Sequence, residues 1–547
     1  MPTSNSKNNY MKKSLIYIGL ASVIFMAGCT KDFDEINTDP TQSSPAIFDP
    51  NFFLSNSQWT YVDGIMGYNG AILFQSGWSQ VISSTSSGGA NYYSNADKYA
   101  PSSNTTDYQG RAWERGFRSA GLSNEIIKNL TDKPEWVNLK SAATIMKVLA
   151  LHYVTDIYGD IPYSEALKGS EGLSLPKYDK QEDVYKAMLS DLESAITQFD
   201  PSKAKPTSDI FNYKGDIAQW KKFGYSLMVR IAMRLTKVDA ALAKAWVEKA
   251  VAGGTFAGIT DNAYVLPDNA NGYTNQNARS LITVEDYYSV RWSKVFIDYL
   301  KTNNDPRLGL IAEVPMPGIA NNQNSALAGD NNPANQLGQP SGWDLNGGAT
   351  DITKSPGYPG GTGTGADLSP IGKYSRPRTS VYTEFNTPVF VITYAEIELL
   401  LAEAAARGWS VGATAAQHYK NGVSAALQTL GTLSGNAAIN ATTADAYATA
   451  HPLDVSSLNS SLKMINEQYW VTTGSYMNFT EAWNNWKRSG FPVLTPVNYS
   501  GNFSGGVIPR RQPYPSGEAT SNNANYKMGV SSLTGGDTWS SRVWWDK

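Results

Sequence analysis

The sequence predicts a mainly α-helical protein in which antiparallel helix pairs stand in series. Two observations predict it. Apolar residues recur at three- to four-residue spacing through most of the chain, the mark of a helix burying one stripe. The helical segments follow one another in pairs of roughly 35–45 residues, a solenoid-like spacing. No repeat can be read from the letters alone. The longest interruption, about residues 316–380, is rich in Gly, Asn and Pro and is too long for an ordinary connection.

The chain opens with a segment of a different kind. Lys12 and Lys13 precede an apolar run of about a dozen residues, and Ala27-Gly28-Cys29 follows. This is the layout of a secretory signal peptide, too short to span a hydrocarbon core comfortably. The cysteine after Ala-Gly resembles a bacterial lipobox, so Cys29 is the expected lipidation site and residues 1–28 are expected to be removed. Met11 is the expected start of translation. Residues 29–48 are polar, acidic and proline-containing, and read as a flexible linker from the lipid anchor. Its acidic residues resemble the surface-export signal of Bacteroidetes lipoproteins. Residues 49–547 are read as one domain.

Residues 50–110 are short apolar runs broken by glycines. Trp113, Phe117, Ala120, Ile126 and Leu130 mark the first helix, and residues 139–158 carry a second, stopped at Gly159-Asp160-Ile161-Pro162. Helices are predicted over Asp183–Phe199 and Ile217–Val238, and over Ala240–Ala252, closed by Gly253-Gly254. A short helical piece is expected at Val284–Leu300. Helix returns at Pro388–Arg407 with the stripe Tyr394, Ile397, Leu401, Ala404, then at about Ala415–Leu430 and Leu462–Lys487. The tail after Gly490 reads as loop. The helical scaffold thus covers about 110–255 and 388–490, and loops cover about 60–105 and 256–385.

Charge is balanced in the 547 residues, 45 Lys+Arg against 48 Asp+Glu. Removing residues 1–28 takes away three lysines and no acid, leaving a formal charge of −6 instead of −3. No basic run appears, which argues against a nucleic-acid partner. With Cys29 acylated no thiol remains for a disulfide, a metal or nucleophilic catalysis. The three histidines, His152, His418 and His451, lack metal-ligand spacing, and no nucleophile elbow or phosphate loop occurs. His152 is expected to be a satisfied core histidine. Glu396 and Glu403 share one helix face and are expected to be solvated. Asp156 and Asp160 are expected to serve structure at a helix end. No catalytic residue, metal site or cofactor is expected.

Aromatic residues make up 12% of the chain, with 31 Tyr and 15 Trp, while charged residues are only 17%. Rings at helical spacing are core by default. Rings in polar loops need another reason, and a ring can stack on the C–H face of a sugar while polar neighbours bond its hydroxyls. The candidate ligand-binding residues are therefore Trp78, Tyr92, Tyr93, Tyr288, Trp292, Trp343 and Tyr358.

Four stretches carry a family resemblance: Met146–Tyr163 (MKVLALHYVTDIYGDIPY), Asn304–Leu308 (NDPRL), Ile392–Ala404 (ITYAEIELLLAEA), and Glu481–Pro492 followed by Pro509–Pro515. In this order they resemble the SusD/RagB family of nutrient-binding outer-membrane lipoproteins, in its SusD-like-2 branch. The resemblance implies a mainly α fold: a tetratricopeptide-like helix-pair scaffold, the SusD-like α-α superhelix, with a loop-rich half packed on it. It implies that the named motifs hold helices together, and that variable loops hold the ligand. It also implies a SusC-like TonB-dependent transporter as partner, a lipid-anchored place on the exterior face of the outer membrane, and an oligosaccharide or an oligopeptide as ligand.

Overall fold

The computed structural model describes residues 49–86, 92–363 and 368–547; Cys29 and the linker lie outside them. Its first helix, α1 (Asn51–Ile65), falls where the sequence shows only broken apolar runs. Its buried side carries polar residues, which hides the stripe. Gln58 Nε2 donates to Asp209 Oδ1 at 2.6 Å, and Ser57 hydroxyl meets those of Ser119 and Ser123 at 3.1 and 2.7 Å.

Helices α2 (Thr105–Asn129), α3 (Val137–Tyr158), α4 (Gln181–Gln198), α5 (Ile217–Met233) and α6 (Ala240–Gly253) follow, each packed on the one before. Nearly every residue of α3 from Leu139 onward is buried, so it is the central rod of this half. Gly116 lets α2 come close to it: a Cβ there would sit 2.2 Å from Val154 Cγ2. Gly159, at φ +96°, ends α3. Asp216 and Asp239 start α5 and α6 by accepting hydrogen bonds from Gln219 N and Leu242 N.

Three short antiparallel strand pairs, β1 (Ile82–Ser84) with β3 (Val290–Trp292), β2 (Ala263–Val265) with β6 (Val389–Ile392), and β4 (Ala312–Glu313) with β5 (Arg376–Pro377), stitch the loop-rich stretch together. They correct two expectations. Val284–Leu300 is not one helix: a turn of helix at Val284–Ser289 gives way to β3, and Ser293 caps a new helix, α7 (Lys294–Thr302). At Pro388–Arg407 the Val-Phe-Val-Ile run is the strand β6. Thr393 and Glu396 then form a capping box that starts α8 (Tyr394–Ala406).

The second helical group adds α9 (Ala415–Leu433), α10 (Ala441–Ala450), α11 (Leu458–Ser475) and α12 (Phe479–Ser489). The stretch predicted as one helix to Lys487 is two, parted at Tyr476–Asn478, where Met477 takes φ +57° and Asn478 caps α12. Helices α8 and α9 pack as a pair, as do α11 and α12, and α8 touches α5 to join the two groups.

Buried ion pairs hold these groups together: Met146–Tyr163, Ile392–Ala404 and Glu481–Pro492 meet in them, while Asn304–Leu308 forms its pair within itself. Glu403, expected to be solvated, is buried and takes a two-pronged bond from Arg488, Nη1 and Nη2 to the two carboxylate oxygens at 2.7 Å each. Arg407 adds a contact at 2.8 Å. Glu396 is buried as well and accepts from Arg230 Nη2 at 2.8 Å. Arg234 bridges Asp156 at 3.1 Å and Glu481 at 2.6 Å, and Asn484 Nδ2 donates to Asp156 at 3.1 Å. Lys487 Nζ donates to the Asp156 carbonyl at 2.8 Å and lies over the Trp483 ring at 3.6 Å. Asp305 pairs with Arg307, whose Nη2 also reaches Gln468 at 3.0 Å. Asp160 accepts from Gln181 N at 2.8 Å, at the start of α4. His152 is buried, with Nε2 3.3 Å from Asp156 Oδ2, but that nitrogen forms no hydrogen bond.

Candidate functional site

Six of the seven candidate rings separate into two groups. Trp78 is fully buried in the one-turn helix Gln75–Trp78; its Nε1 donates to Asn95 O at 3.0 Å, and Phe74, Trp483 and Trp539 surround its ring. Tyr93 is buried with its ring edge-on to Tyr68. Trp292 is buried in β3, stacked on Phe296 with centroids 4.9 Å apart, and donates through Nε1 to Ile311 O at 3.0 Å. These three rings are core, which corrects the expectation that they face a ligand. The polar residues beside them mislead because they are buried too. Strands β1 and β3 are covered on both faces, and Ser83, Ser84 and Arg291 are inside with Trp292. Tyr92 lies in the 3-10 turn Tyr92–Asn95, its side chain outside those described.

Tyr288, Trp343 and Tyr358 come together. All three are half-buried and pack on a satellite cluster of Ile352, Ile371 and Tyr374, apart from the main core, with Leu337 and Leu345 beside them. The short helix Val284–Ser289 and the two loop stretches bearing Trp343 and Tyr358 thus bring their rings onto one cluster.

The loop bearing Trp343 is braced from several sides. Gly342 N donates to Asp97 Oδ2 at 2.9 Å, and the Ser341 and Ser83 hydroxyls meet at 2.7 Å. Asp97 is itself locked by a buried ion pair with Lys98 at 2.8 Å. Asp344 N donates to Thr350 O at 2.9 Å and Ile352 N to Asp344 O at 2.8 Å, folding residues 344–352 into a closed loop. The Asp344 carboxylate accepts from Tyr499 OH and Thr350 Oγ1, both at 2.7 Å, and from Asn346 N at 3.0 Å. Burial acts to raise Asp344, yet the bonds from Thr350, Tyr499 and Asn346 hold it below the usual carboxylate range. Asp351 is held low in the same way by Thr353 and Gly347, against its burial.

The cluster therefore offers neutral rings on a rigid frame. Burial pushes the hydroxyls of Tyr288 and Tyr358 upward, so both stay protonated and can donate. Its rings can lie against apolar faces, and its hydroxyls can bond polar edges. Among the described residues no group of three His, Cys, Asp or Glu side chains could hold a metal ion. No described helix is long and apolar enough to cross a membrane.

Sequence reasoning missed Tyr374 and Tyr499. Tyr374 follows Gly-Lys in a polar loop and met the same ring-in-a-loop criterion as Trp343. Tyr499 lies in the tail, where nothing local signals its bond to Asp344.

Comparisons with known proteins agree with this architecture. The family SusD-like_2, described as starch-binding and associating with the outer membrane, matches residues 41–515. A solved structure of a chitin-binding protein is 31% identical, aligns over 91% of this chain and 100% of its own, and has a TM-score of 0.74. A SusD-like protein from Bacteroidetes is 24% identical over 91% of this chain and 100% of its own, with a TM-score of 0.73. A chitin-binding SusD homologue from Flavobacterium johnsoniae is 22% identical over 90% and 98%, at 0.66; these last two likenesses speak to the fold alone. The comparison with curated proteins returned no match.

Proposed function

The chain belongs to the SusD-like family, and we propose that it is a non-catalytic surface protein that captures an oligosaccharide and hands it to a SusC-like TonB-dependent transporter. The observation that carries the ligand reading is the convergence of Tyr288, Trp343 and Tyr358 on one braced loop cluster. Half-buried neutral rings with protonated hydroxyls suit a neutral polar ligand better than a charged one. The family description as starch-binding, and the chitin-binding relative at 31% identity, favour a glycan over a peptide. In this reading Cys29 carries the lipid that holds the protein on the exterior face of the outer membrane.

Calorimetry with maltohexaose, chitohexaose and a mixture of oligopeptides tests the ligand reading. One glycan is expected to bind. Trp343→Ala and Tyr358→Ala should each weaken it at least about tenfold, a loss of roughly 1.4 kcal/mol, with the far-UV dichroism unchanged. Binding of peptides alone, or unaltered glycan binding in both variants, would overturn it.

A further inference from the structure

A second ring-lined pocket lies away from the loop cluster and shares no residue with it. It has a volume of about 260 Å³ and is lined by Asn56 and Trp59 of α1 and by Ile210, Leu266, Asp268 and Tyr273, among others. Leu266 is 61% exposed and Tyr273 45%. The Trp59 and Tyr273 rings meet at 76° with centroids 5.0 Å apart, so they form the two walls of a corner.

The corner is prebuilt. The backbone turns at Asn269–Asn271 and reverses at Gly272, whose φ of +87° suits glycine. Asp268 O accepts from Asn271 N at 3.1 Å and from Tyr273 N at 3.0 Å. Thr274 Oγ1 donates to Asn269 Oδ1 at 2.7 Å, and Asn269 N donates to Asn386 Oδ1 at 2.9 Å. Tyr273 is thus held out on a fixed turn, which lowers the ordering cost of binding.

The pocket also holds unspent polar groups. Among the described residues, the Trp59 indole N–H, the Asn56 amide and the Tyr273 hydroxyl form no hydrogen bond. Asp268 gives Oδ2 to Asn271 Nδ2 at 2.6 Å, and its Oδ1 remains open. No lysine or arginine lines the pocket, so an anion would find no counter-charge. Its volume falls below the roughly 300–1,000 Å³ of sites for drug-sized ligands, which limits the occupant to about one ring.

We propose that this pocket is a second saccharide subsite, taking one pyranose unit of a neutral glycan. The sugar's C–H face lies on Tyr273 with Trp59 as the side wall. Its hydroxyls donate to Asp268 Oδ1 and accept from the Asn56 amide and the Trp59 N–H. The proposal rests on the saccharide reading above and adds a place of contact outside the loop cluster.

The test is the stoichiometry of maltotriose and chitotriose binding to the full chain, in the parent and in Tyr273→Ala, Asn56→Ala and Trp343→Ala. Asn56 is an exposed helix residue, so its replacement leaves folding intact. The parent is expected to bind two molecules of one trisaccharide. Tyr273→Ala should bind one, Asn56→Ala should weaken the same event, and Trp343→Ala should keep it. A parent that binds one trisaccharide, lost in Trp343→Ala, would remove this subsite and leave the loop cluster standing. Unchanged stoichiometry and affinity in both Tyr273→Ala and Asn56→Ala would do the same. A parent that binds neither sugar would overturn both readings.

Discussion

Replacing Glu403 by glutamine should cost far more stability than a carboxylate-to-amide change usually does. Burial alone would raise the Glu403 carboxyl, but Arg488, with Arg407, draws it down from 4.5 to about 2. At 1.36 kcal/mol per tenfold change in proton affinity, that drop corresponds to about 3 kcal/mol of folding free energy. The glutamine also leaves Arg488 buried without its acid, and removing one partner of a buried pair typically costs about 3–5 kcal/mol. The sign with pH follows from the depressed value. The contribution is complete above about pH 4.5 and is lost as the pH falls toward about 2. Urea unfolding at pH 7 should therefore give a clearly lower midpoint for Glu403→Gln than for the parent, and the gap should close toward about pH 2.5. The double change Glu403→Leu with Arg488→Met, which removes both charges, should be less harmful than glutamine alone. Equal midpoints at pH 7, or a gap that does not narrow in acid, would refute the reasoning.

Two further outcomes follow from burial. Trp292→Ala should lower stability by about 3–5 kcal/mol, because it empties a filled site between Phe296 and Tyr382; a urea midpoint no lower than that of Trp343→Ala would contradict the core assignment. Burial, against the opposing pull of Asp156, holds the His152 imidazole down to about 4. Stability should then fall as the pH drops from about 6.5 to about 4, by about 3 kcal/mol in all. His152→Gln should flatten the thermal midpoint across that window, and an unaltered slope would rule the histidine out as its source.

Much of the helical scaffold was legible because amphipathic helices write their period into the sequence. Helix α5 shows it at Trp220, Phe223, Leu227 and Ile231, all of them buried. Helix α1 hid because its inner side is polar and satisfied across to Asp209, Ser119 and Ser123. Glu403 looked like a solvated acid for a related reason: Arg488 stands 85 positions away, and nothing local announces it. The site was legible in part. Trp292 and Trp343 both sit among polar letters, and only long-range pairing separates them. Pairing with Ile82 in β1 places Trp292 in the interior, while a loop held at Asp97 and Tyr499 leaves Trp343 half-buried.

The buried polar contacts also tie together stretches far apart in the chain. Lys487 reaches Asp156 across 331 positions, and Gln80 reaches Thr495 across 415. Trp545, fully buried, lies against Arg234 and Lys487, and Asp546 pairs with Arg510. Loops this long cost more entropy to close than local turns do, and they cannot close before both ends exist. The first helices can therefore form from local contacts, but their charged interior closes only when residues near position 546 are in place. Without that stretch, Arg234 and Lys487 lose the Trp545 ring that lies against them. The stretch around Trp545 and Asp546 is thus the bolt that closes the charged interior of the helices.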